Sequence, residues 1–356
     1  MFGFPRRLIR GPLAQLAQRV PTLVPPAEFG CRIEKLPEGS AAIDNDLYGD
    51  EKHASTWHSA DASRELATLR LLNSARVPYF DRVWRNQLLL GPAREGSFLE
   101  IGCGGGIATC ALAQLGYHMT GVEPQTASLE AAREHARSSG LQERTSFVAG
   151  SAYDLSMFPS ECFDGVLMAD VLEHLYDLPA AVAQAHRVLK PGGVLAFDTI
   201  NRTFASYVLA IALAQEGLGI VPPRTHDWRL FIQPHEVAYL MQSHGFVCDT
   251  SHFRGMAPTV ALRNPIAGAL GLASSLRSGA PPALPLSDFV EIASLEVNYL
   301  GYAVKPLRRG RPVEGSDAQH DASAGAGAAG MNGELGVRTF APGELADGLR
   351  EAKRAQ

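Results

Sequence analysis

Residues 99–106, Leu-Glu-Ile-Gly-Cys-Gly-Gly-Gly, place one carboxylate and four glycines where an apolar run gives way to a helix-like segment. Phe98, Leu99 and Ile101 suit a buried strand. Because glycine has no Cβ, the backbone after this strand can turn tightly and approach a ligand closely. A dinucleotide fingerprint would need a further glycine at the position of Ile107. The stretch therefore predicts a nucleoside site for a ligand without a pyrophosphate.

The composition is that of a globular protein without a basic field. The chain has 356 residues, 46% of them hydrophobic, which is enough to bury a full core. Its net charge of -5 argues against a nucleic-acid partner. The 5 cysteines form no Cys-x-x-Cys pair, which favours a reducing compartment. No run reaches the roughly 20 apolar residues of a membrane span, so we expect a protein that is soluble or peripheral on the inner-membrane face, mitochondrial in a eukaryote and cytoplasmic in a bacterium.

Shifts in composition divide the chain into three parts. Residues 1–42 form a basic arm that is either an organellar presequence or an ordinary basic segment. Residues 43–306 form the predicted folded domain, with a helical cap at about 51–90. Residues 307–356 are rich in Ala and Gly and are predicted to be disordered.

Strand-like and helix-like runs alternate from residue 97 onward. Such alternation predicts βαβ units in a doubly wound, mostly parallel α/β sheet. Lys190-Pro191-Gly192-Gly193 ends a helix before the fifth strand. The predicted strands are residues 98–102, 119–123, 145–148, 163–169 and 194–200, with two later ones within 246–252 and 295–304.

Two features beyond the glycines extend the nucleoside site. Glu123 follows the second strand about 20 residues after them, where doubly wound folds place a carboxylate on ribose hydroxyls. The alternative is a solvated loop glutamate. Ser151 and Ala152 follow the third strand and are candidates for adenine contact, although a plain surface turn would also fit.

Together, Glu100-x-Gly102-x-Gly104-x-Gly106, Glu123 and Lys190–Gly193 resemble class I S-adenosylmethionine-dependent methyltransferases over about residues 95–200. The resemblance implies a Rossmann-like, seven-stranded sheet with one reversed edge strand, and S-adenosylmethionine as methyl donor. The implied cofactor-binding residues are Glu100, Gly102, Gly104, Gly106, Glu123, Ser151, Ala152 and Met168.

A second constellation, Asp170-Val171-Leu172-Glu173-His174, follows the fourth strand. On a helix, offsets of three and four would place Asp170, Glu173 and His174 on one face. Two carboxylates and one imidazole can hold a divalent cation such as Mg²⁺, with positions left open for a substrate. The alternative is a scaffold that only shapes the floor of the site.

A wider resemblance runs from about Ile43 to Pro306 and includes Asn201-Arg202-Thr203, Thr225-His226-Asp227 and Val297-Asn298-Tyr299. These residues look like the O-methyltransferase family of ubiquinone biosynthesis. The resemblance implies metal binding by the acid-x-x-Glu-His motif, in which Asp170 replaces the more usual Glu, and a polyprenylated catechol or phenol as acceptor. Two alternatives are a small non-prenylated acceptor and a non-catalytic member of a quinone-synthesis complex.

The segment from 203 to about 233 is an apolar insertion. Its unbroken run at 207–214 predicts either a lid that contacts a membrane surface or a helix packed in the core. Phe204, Tyr207 and Ile211 share one helical face and are expected near the substrate. His174, His226 and Asp227 are the candidate catalytic residues, with a loop pair as the alternative for the last two.

Overall fold

The computed structural model describes residues 24–46, 57–58, 64–217, 219, 221–259 and 288–308. The predicted basic arm up to residue 23, and the predicted tail from residue 309 onward, lie outside the described residues. The described helices are α1 (Arg64–Gln87), α2 (Ile107–Gln114), α3 (Thr126–Ser138), α4 (Leu178–Val188), α5 (Phe204–Ser206) and α6 (Pro234–Ser243). The strands are β1 (Ser97–Ile101), β2 (His118–Glu123), β3 (Thr145–Ala149), β4 (Phe163–Ala169), β5 (Leu189–Ile200), β6 (Arg254–Pro258), β7 (Phe289–Ile292) and β8 (Asn298–Val304).

These strands form one sheet in the order β3-β2-β1-β4-β5-β8-β6-β7. Strands β1 to β5 pair in parallel, and β8 runs antiparallel to β5. The predicted doubly wound α/β class is confirmed. The strand count differs, because the described part of the chain contributes 8 strands and the reversed strand β8 lies between β5 and β6 instead of at the edge. The order reverses between β1 and β4, and ligands of such sheets bind beside this point at the carboxyl ends of the strands.

The late strands begin later than predicted. Within 246–252 only Val247 pairs with the sheet, through a bridge to Val304. The Asp249 carboxylate accepts a hydrogen bond from the Ser251 amide at 2.9 Å and caps a turn of 3₁₀ helix, Thr250–His252. Because that turn interrupts extended backbone, β6 starts only at Arg254.

The segment before the sheet packs against it more extensively than predicted. Trp84 of α1 is fully buried, with its ring 4.6 Å from Phe98 and 5.3 Å from Tyr117. Leu36 and Ala41, which the sequence assigns to the basic arm, are buried in a cluster with Leu230. The described residues of the arm before position 43 thus belong to the folded domain.

The apolar insertion is helical but not a regular α-helix. After α5 the chain continues as a π-helix over Tyr207–Gly217. π-helical backbone is rare and frequently occurs at functional sites. No helix in the described ranges is long and apolar enough to cross a membrane.

Candidate active site

The glycine loop after β1 leaves no room for side chains. A Cβ on Gly102 would lie 2.6 Å from Val171, and one on Gly104 would lie 2.9 Å from the Trp57 ring. Gly102 has φ +74°, a conformation that glycine adopts without strain. Its amide donates to the Val122 carbonyl at 2.7 Å, which fixes the loop on β2. The glycines therefore let the loop lie between these neighbours while its backbone lines the adjacent cavity.

A cavity of about 380 Å³ opens at the carboxyl ends of the central strands. Among the predicted cofactor-binding residues, those that line it are Glu100, Gly102, Gly104, Glu123, Ser151 and Ala152. We call this cavity the reaction pocket. Its volume lies in the range of small-molecule sites.

Two of the predicted cofactor contacts lie elsewhere. Met168 is fully buried in the core, and Ala169, the next residue of β4, lines the reaction pocket instead. Successive strand residues face opposite sides of the sheet, so the prediction chose the wrong side. Gly106 packs towards Ala132 and Phe147, where a Cβ would lie 3.0 Å from Ala132. It is the N-cap residue that precedes α2, and it does not line the pocket.

Glu123 ends β2 with its carboxylate at the pocket. Its oxygens accept hydrogen bonds from the amides of Gly104 at 3.2 Å and Gln125 at 3.1 Å. Burial raises the pKa of Glu123 although both bonds oppose that shift. The two amides use only part of the acceptor capacity of a carboxylate, which can accept about four hydrogen bonds.

Glu100 connects β1 to α2. Its buried carboxylate accepts a hydrogen bond from the Thr109 hydroxyl. Burial raises the pKa of Glu100 to about 7, although Thr109 and Arg76 lower it. The hydrogen bond to Thr109 therefore connects β1 to the first turn of α2, and Glu100 lines the reaction pocket.

Arg76 of α1 is a pocket residue that the sequence interpretation missed. It is 3% exposed and donates a hydrogen bond to Asp170. Its Nη1 atom lies 3.5 Å from the Oδ2 atom of Asp198. Burial raises the pKa of Asp170, but the Arg76 guanidinium outweighs it and holds that pKa below its usual range. Burial, together with the Asp170 charge, raises the pKa of Asp198. Arg76 thus neutralises the carboxylate that the sequence assigns to the metal.

Among the described residues, the group whose ligand atoms lie close enough to share a metal ion contains His226 and not Asp170. Single ligand atoms of Glu173, His174 and His226 lie within 4.8 Å of one another, and the two imidazole rings are 5.2 Å apart. The predicted triplet requires a helix from Asp170 onward. Instead, Asp170 has φ +50° and only Leu172–His174 form a 3₁₀ turn, so Asp170 is directed to Arg76.

The cluster has the chemistry of an incomplete coordination shell. The Glu173 Oε2 atom accepts from Thr199 at 2.8 Å, whereas the buried Glu173 Oε1 and His226 Nδ1 atoms have no hydrogen-bond partner among the described residues. Burial lowers the pKa of His174 to about 4 and that of His226 to about 3, so both imidazoles are neutral at pH 7. Burial and the nearby Asp170 charge raise the pKa of Glu173 to about 8, so a bound cation would take the place of its proton. Buried polar atoms without a partner are uncommon, and a carboxyl oxygen with two neutral imidazoles suits a divalent cation. These residues fit a metal ion.

The N-terminal segment connects the loops that carry the two histidines. Arg32 is fully buried and donates to the carbonyls of Leu175 at 2.6 Å and Leu230 at 3.2 Å. The side chain of Asn45 donates to the His174 carbonyl at 3.1 Å. One segment of chain thus fixes the distance between two loops that are far apart in sequence.

Asp227 has a structural role. Its carboxylate pairs with Arg229 at 2.6 Å and accepts from the Ala42 amide at 2.9 Å. It does not line the reaction pocket, so its assignment as a catalytic residue is corrected. The alternative pairing with His226 is also not observed, because Arg229 is the partner.

The three apolar residues expected near the substrate do not line the reaction pocket. Phe204 is 59% exposed, and Tyr207 and Ile211 line a separate cavity. The π-helix changes the residue spacing from that of the α-helix on which the prediction depends. The apolar side chains in the reaction pocket come from other elements and include Leu69, Leu72, Ile200 and Val221.

Comparisons with known proteins place these residues in a family. A model of the methyltransferase domain matches residues 99–197, which contain the glycine loop and Glu173. A ubiquinone biosynthesis O-methyltransferase of Methylobacterium nodulans is 36% identical over 210 residues, 56% of this chain and 81% of the relative. That of Hahella chejuensis is 32% identical over 248 residues, 70% and 90% of the two chains. The mitochondrial enzyme of Rattus norvegicus is 31% identical over 223 residues, 61% and 64%.

The bacterial matches cover 81% and 90% of the two relatives. The chain belongs to the family of ubiquinone biosynthesis O-methyltransferases and is an S-adenosylmethionine-dependent O-methyltransferase.

Proposed function

We propose that the chain methylates a ring hydroxyl of a polyprenylated catechol or phenol in ubiquinone biosynthesis. Glu173, His174 and His226 would bind a divalent cation, Mg²⁺, and this cation would hold the hydroxyl. The observation that supports this most strongly is a pair of buried atoms, Glu173 Oε1 and His226 Nδ1, for which the described part of the chain offers no hydrogen-bond partner. His174 and His226 line the same cavity as the glycine loop. Donor and acceptor would therefore meet in one pocket.

In the proposed reaction the acceptor hydroxyl releases its proton to water, its oxygen forms a bond to the methyl carbon, the carbon–sulfur bond breaks, and S-adenosylhomocysteine leaves. Glu123 and the glycine loop position the donor, and the apolar walls at Leu72 and Val221 exclude water from the ring. A bound cation would lower the pKa of the coordinated hydroxyl and stabilise the phenolate. With pKa values of about 4 and 3, His174 and His226 are weak bases at neutral pH, which favours a role as ligands.

The donor half of the proposal predicts a specific effect of Glu123→Ala. We expect the Kd for S-adenosylmethionine to rise about 10- to 100-fold, because charge-assisted hydrogen bonds to the ribose contribute about 1.5–3 kcal/mol. The acceptor KM should change less than twofold. Calorimetry and steady-state kinetics measure these quantities, with Glu130→Ala, an exposed glutamate of α3, as the matched control. A larger change in acceptor KM than in donor Kd would remove Glu123 from the donor site.

The central test is methyl transfer from labelled S-adenosylmethionine to a demethylated prenyl-quinol, with purified protein and Mg²⁺. We expect label on a ring oxygen and a rate that chelation lowers at least about 10-fold and added Mg²⁺ restores. Activity that is insensitive to chelators and equal on soluble phenols would favour the small-metabolite alternative. Donor binding without turnover on any phenol would favour the non-catalytic alternative.

The apolar insertion supports contact with a lipid surface. Phe204 is 59% exposed and Leu209 is 48% exposed, and both lie on the segment at 203–220. Apolar side chains of this size can enter the headgroup region of a bilayer. We expect Phe204→Ser with Leu209→Ser to lower sedimentation with anionic vesicles severalfold, while Val247→Ser, an exposed valine elsewhere, has no effect. Equal sedimentation of all three proteins would contradict this contact.

A further inference from the structure

A second cavity, of about 400 Å³, adjoins the reaction pocket at His226, which lines both. Its apolar wall comes from Tyr207, Ile211 and Ala212 of the π-helix and from Trp228. The mechanism uses none of these four side chains. The cavity therefore offers space next to the cation-binding cluster that neither the donor nor the acceptor ring requires.

Several polar groups of the wall are already bonded within the protein. Gln215 accepts from the His226 amide at 2.8 Å and donates to the His226 carbonyl at 3.2 Å. The Trp228 indole donates to the Thr203 carbonyl at 2.8 Å, and Asp227 pairs with Arg229. Groups that are already hydrogen-bonded contribute little binding free energy to a polar ligand. The cavity therefore favours an apolar occupant.

The burial of the lining residues indicates which end of the cavity opens to the surface. Tyr207, Ala212 and Trp228 are buried, whereas Pro223 and Arg224 at the rim are exposed. The cavity thus has an inner wall and an opening to the surface. An apolar chain that begins at a ring beside His226 could lie against the inner wall and leave at the rim.

We propose that this cavity, the tail cavity, binds the first isoprene units of the acceptor's side chain. The inference rests on the proposed function and adds a specificity site to it. Each isoprene unit contributes five carbons of apolar surface, and burying such surface is favourable roughly in proportion to its area. Acceptors that carry isoprene units should therefore have a KM at least about 10-fold lower than the same catechol without a tail.

The test fills the tail cavity with a larger side chain on the π-helix. Ala212→Phe directs a ring into the cavity, and Ala214→Phe makes the same change on the same helix at a position that lines neither cavity. The acceptors are a catechol without a tail and the same catechol with three isoprene units. We expect Ala212→Phe to raise the KM of the tailed acceptor at least about 10-fold and that of the tail-free acceptor less than twofold. Ala214→Phe should change neither value.

Ala212→Val serves as a smaller filling variant in case the phenylalanine protein does not fold, and thermal melting identifies that case. We expect it to shift the KM of the tailed acceptor in the same direction by a smaller factor. An unchanged KM for the tailed acceptor in folded Ala212 variants would overturn the inference, as would an equal loss on both acceptors. If wild-type protein methylates neither catechol, the proposed function itself fails.

Discussion

Glu173→Gln is expected to lower kcat more than about 100-fold and to remove Mn²⁺ binding, because the substitution keeps the shape of the side chain but removes the charge of a proposed ligand. Changes to residues that only support a ligand typically cost 10- to 100-fold in metal affinity, so loss of the ligand itself should exceed that range. Kinetics with labelled donor and electron paramagnetic resonance of Mn²⁺ measure the two effects. The Kd for S-adenosylmethionine should stay within about threefold, because the donor-side carboxyl groups of Glu100 and Glu123 are held by Thr109, Gly104 and Gln125 and not by Glu173.

A paired comparison separates the observed cluster from the triplet that the sequence predicts. We expect His226→Ala to lower Mn²⁺ affinity more than Asp170→Asn does, since Asp170 pairs with Arg76 whereas His226 has an unpartnered ring nitrogen. If Asp170→Asn has the larger effect on Mn²⁺ affinity, Asp170 is the ligand and the triplet is restored. If Glu173→Gln, His226→Ala and Asp170→Asn all leave the Mn²⁺ affinity at the wild-type value, the metal does not bind at this site.

Arg76→Met is expected to lower the free energy of unfolding by about 3–5 kcal/mol, the usual cost of removing one partner of a buried ion pair. The substitution leaves Asp170 and the 1% exposed Asp198 without their cation. Urea denaturation measures the loss. Adding Asp170→Asn to Arg76→Met should recover part of it, because the second change removes the uncompensated charge. A loss below about 1 kcal/mol would show that Arg76 does not stabilise these carboxyl groups.

The same pair predicts a dependence on pH. The folded-state pKa of Asp170 lies below its ordinary value of 3.8. The Asp170 contribution to stability is therefore present above that value and is lost as the pH falls through the folded-state pKa. We expect the difference between wild type and Arg76→Met to be larger at pH 7 than below pH 3.8, which urea titrations at several pH values measure.

The donor site could be predicted from the sequence because its parts are local. The glycines directly follow an apolar strand, and one helix and one further strand separate them from Glu123. A βαβ unit of this length places both at the same edge of the sheet, whatever the rest of the chain does. The sequence does not determine as well which side of the sheet a single strand residue faces. Ala169 lines the pocket, whereas the sequence predicts this contact for its neighbour Met168, which is buried.

The acceptor side depends on residues that meet only in the folded chain. Arg76 reaches Asp170 across 94 positions of sequence, and no local pattern indicates that pairing. His226 joins Glu173 and His174 because Arg32 and Asn45 bond to the loops around it. The sequence by itself therefore determined the five parallel strands, the glycine loop and the methyl donor. Only the tertiary structure decided that Arg76 neutralises Asp170 and that Glu173 and His226 keep atoms available for a cation. The reason is that burial and charge pairing depend on contacts between distant segments.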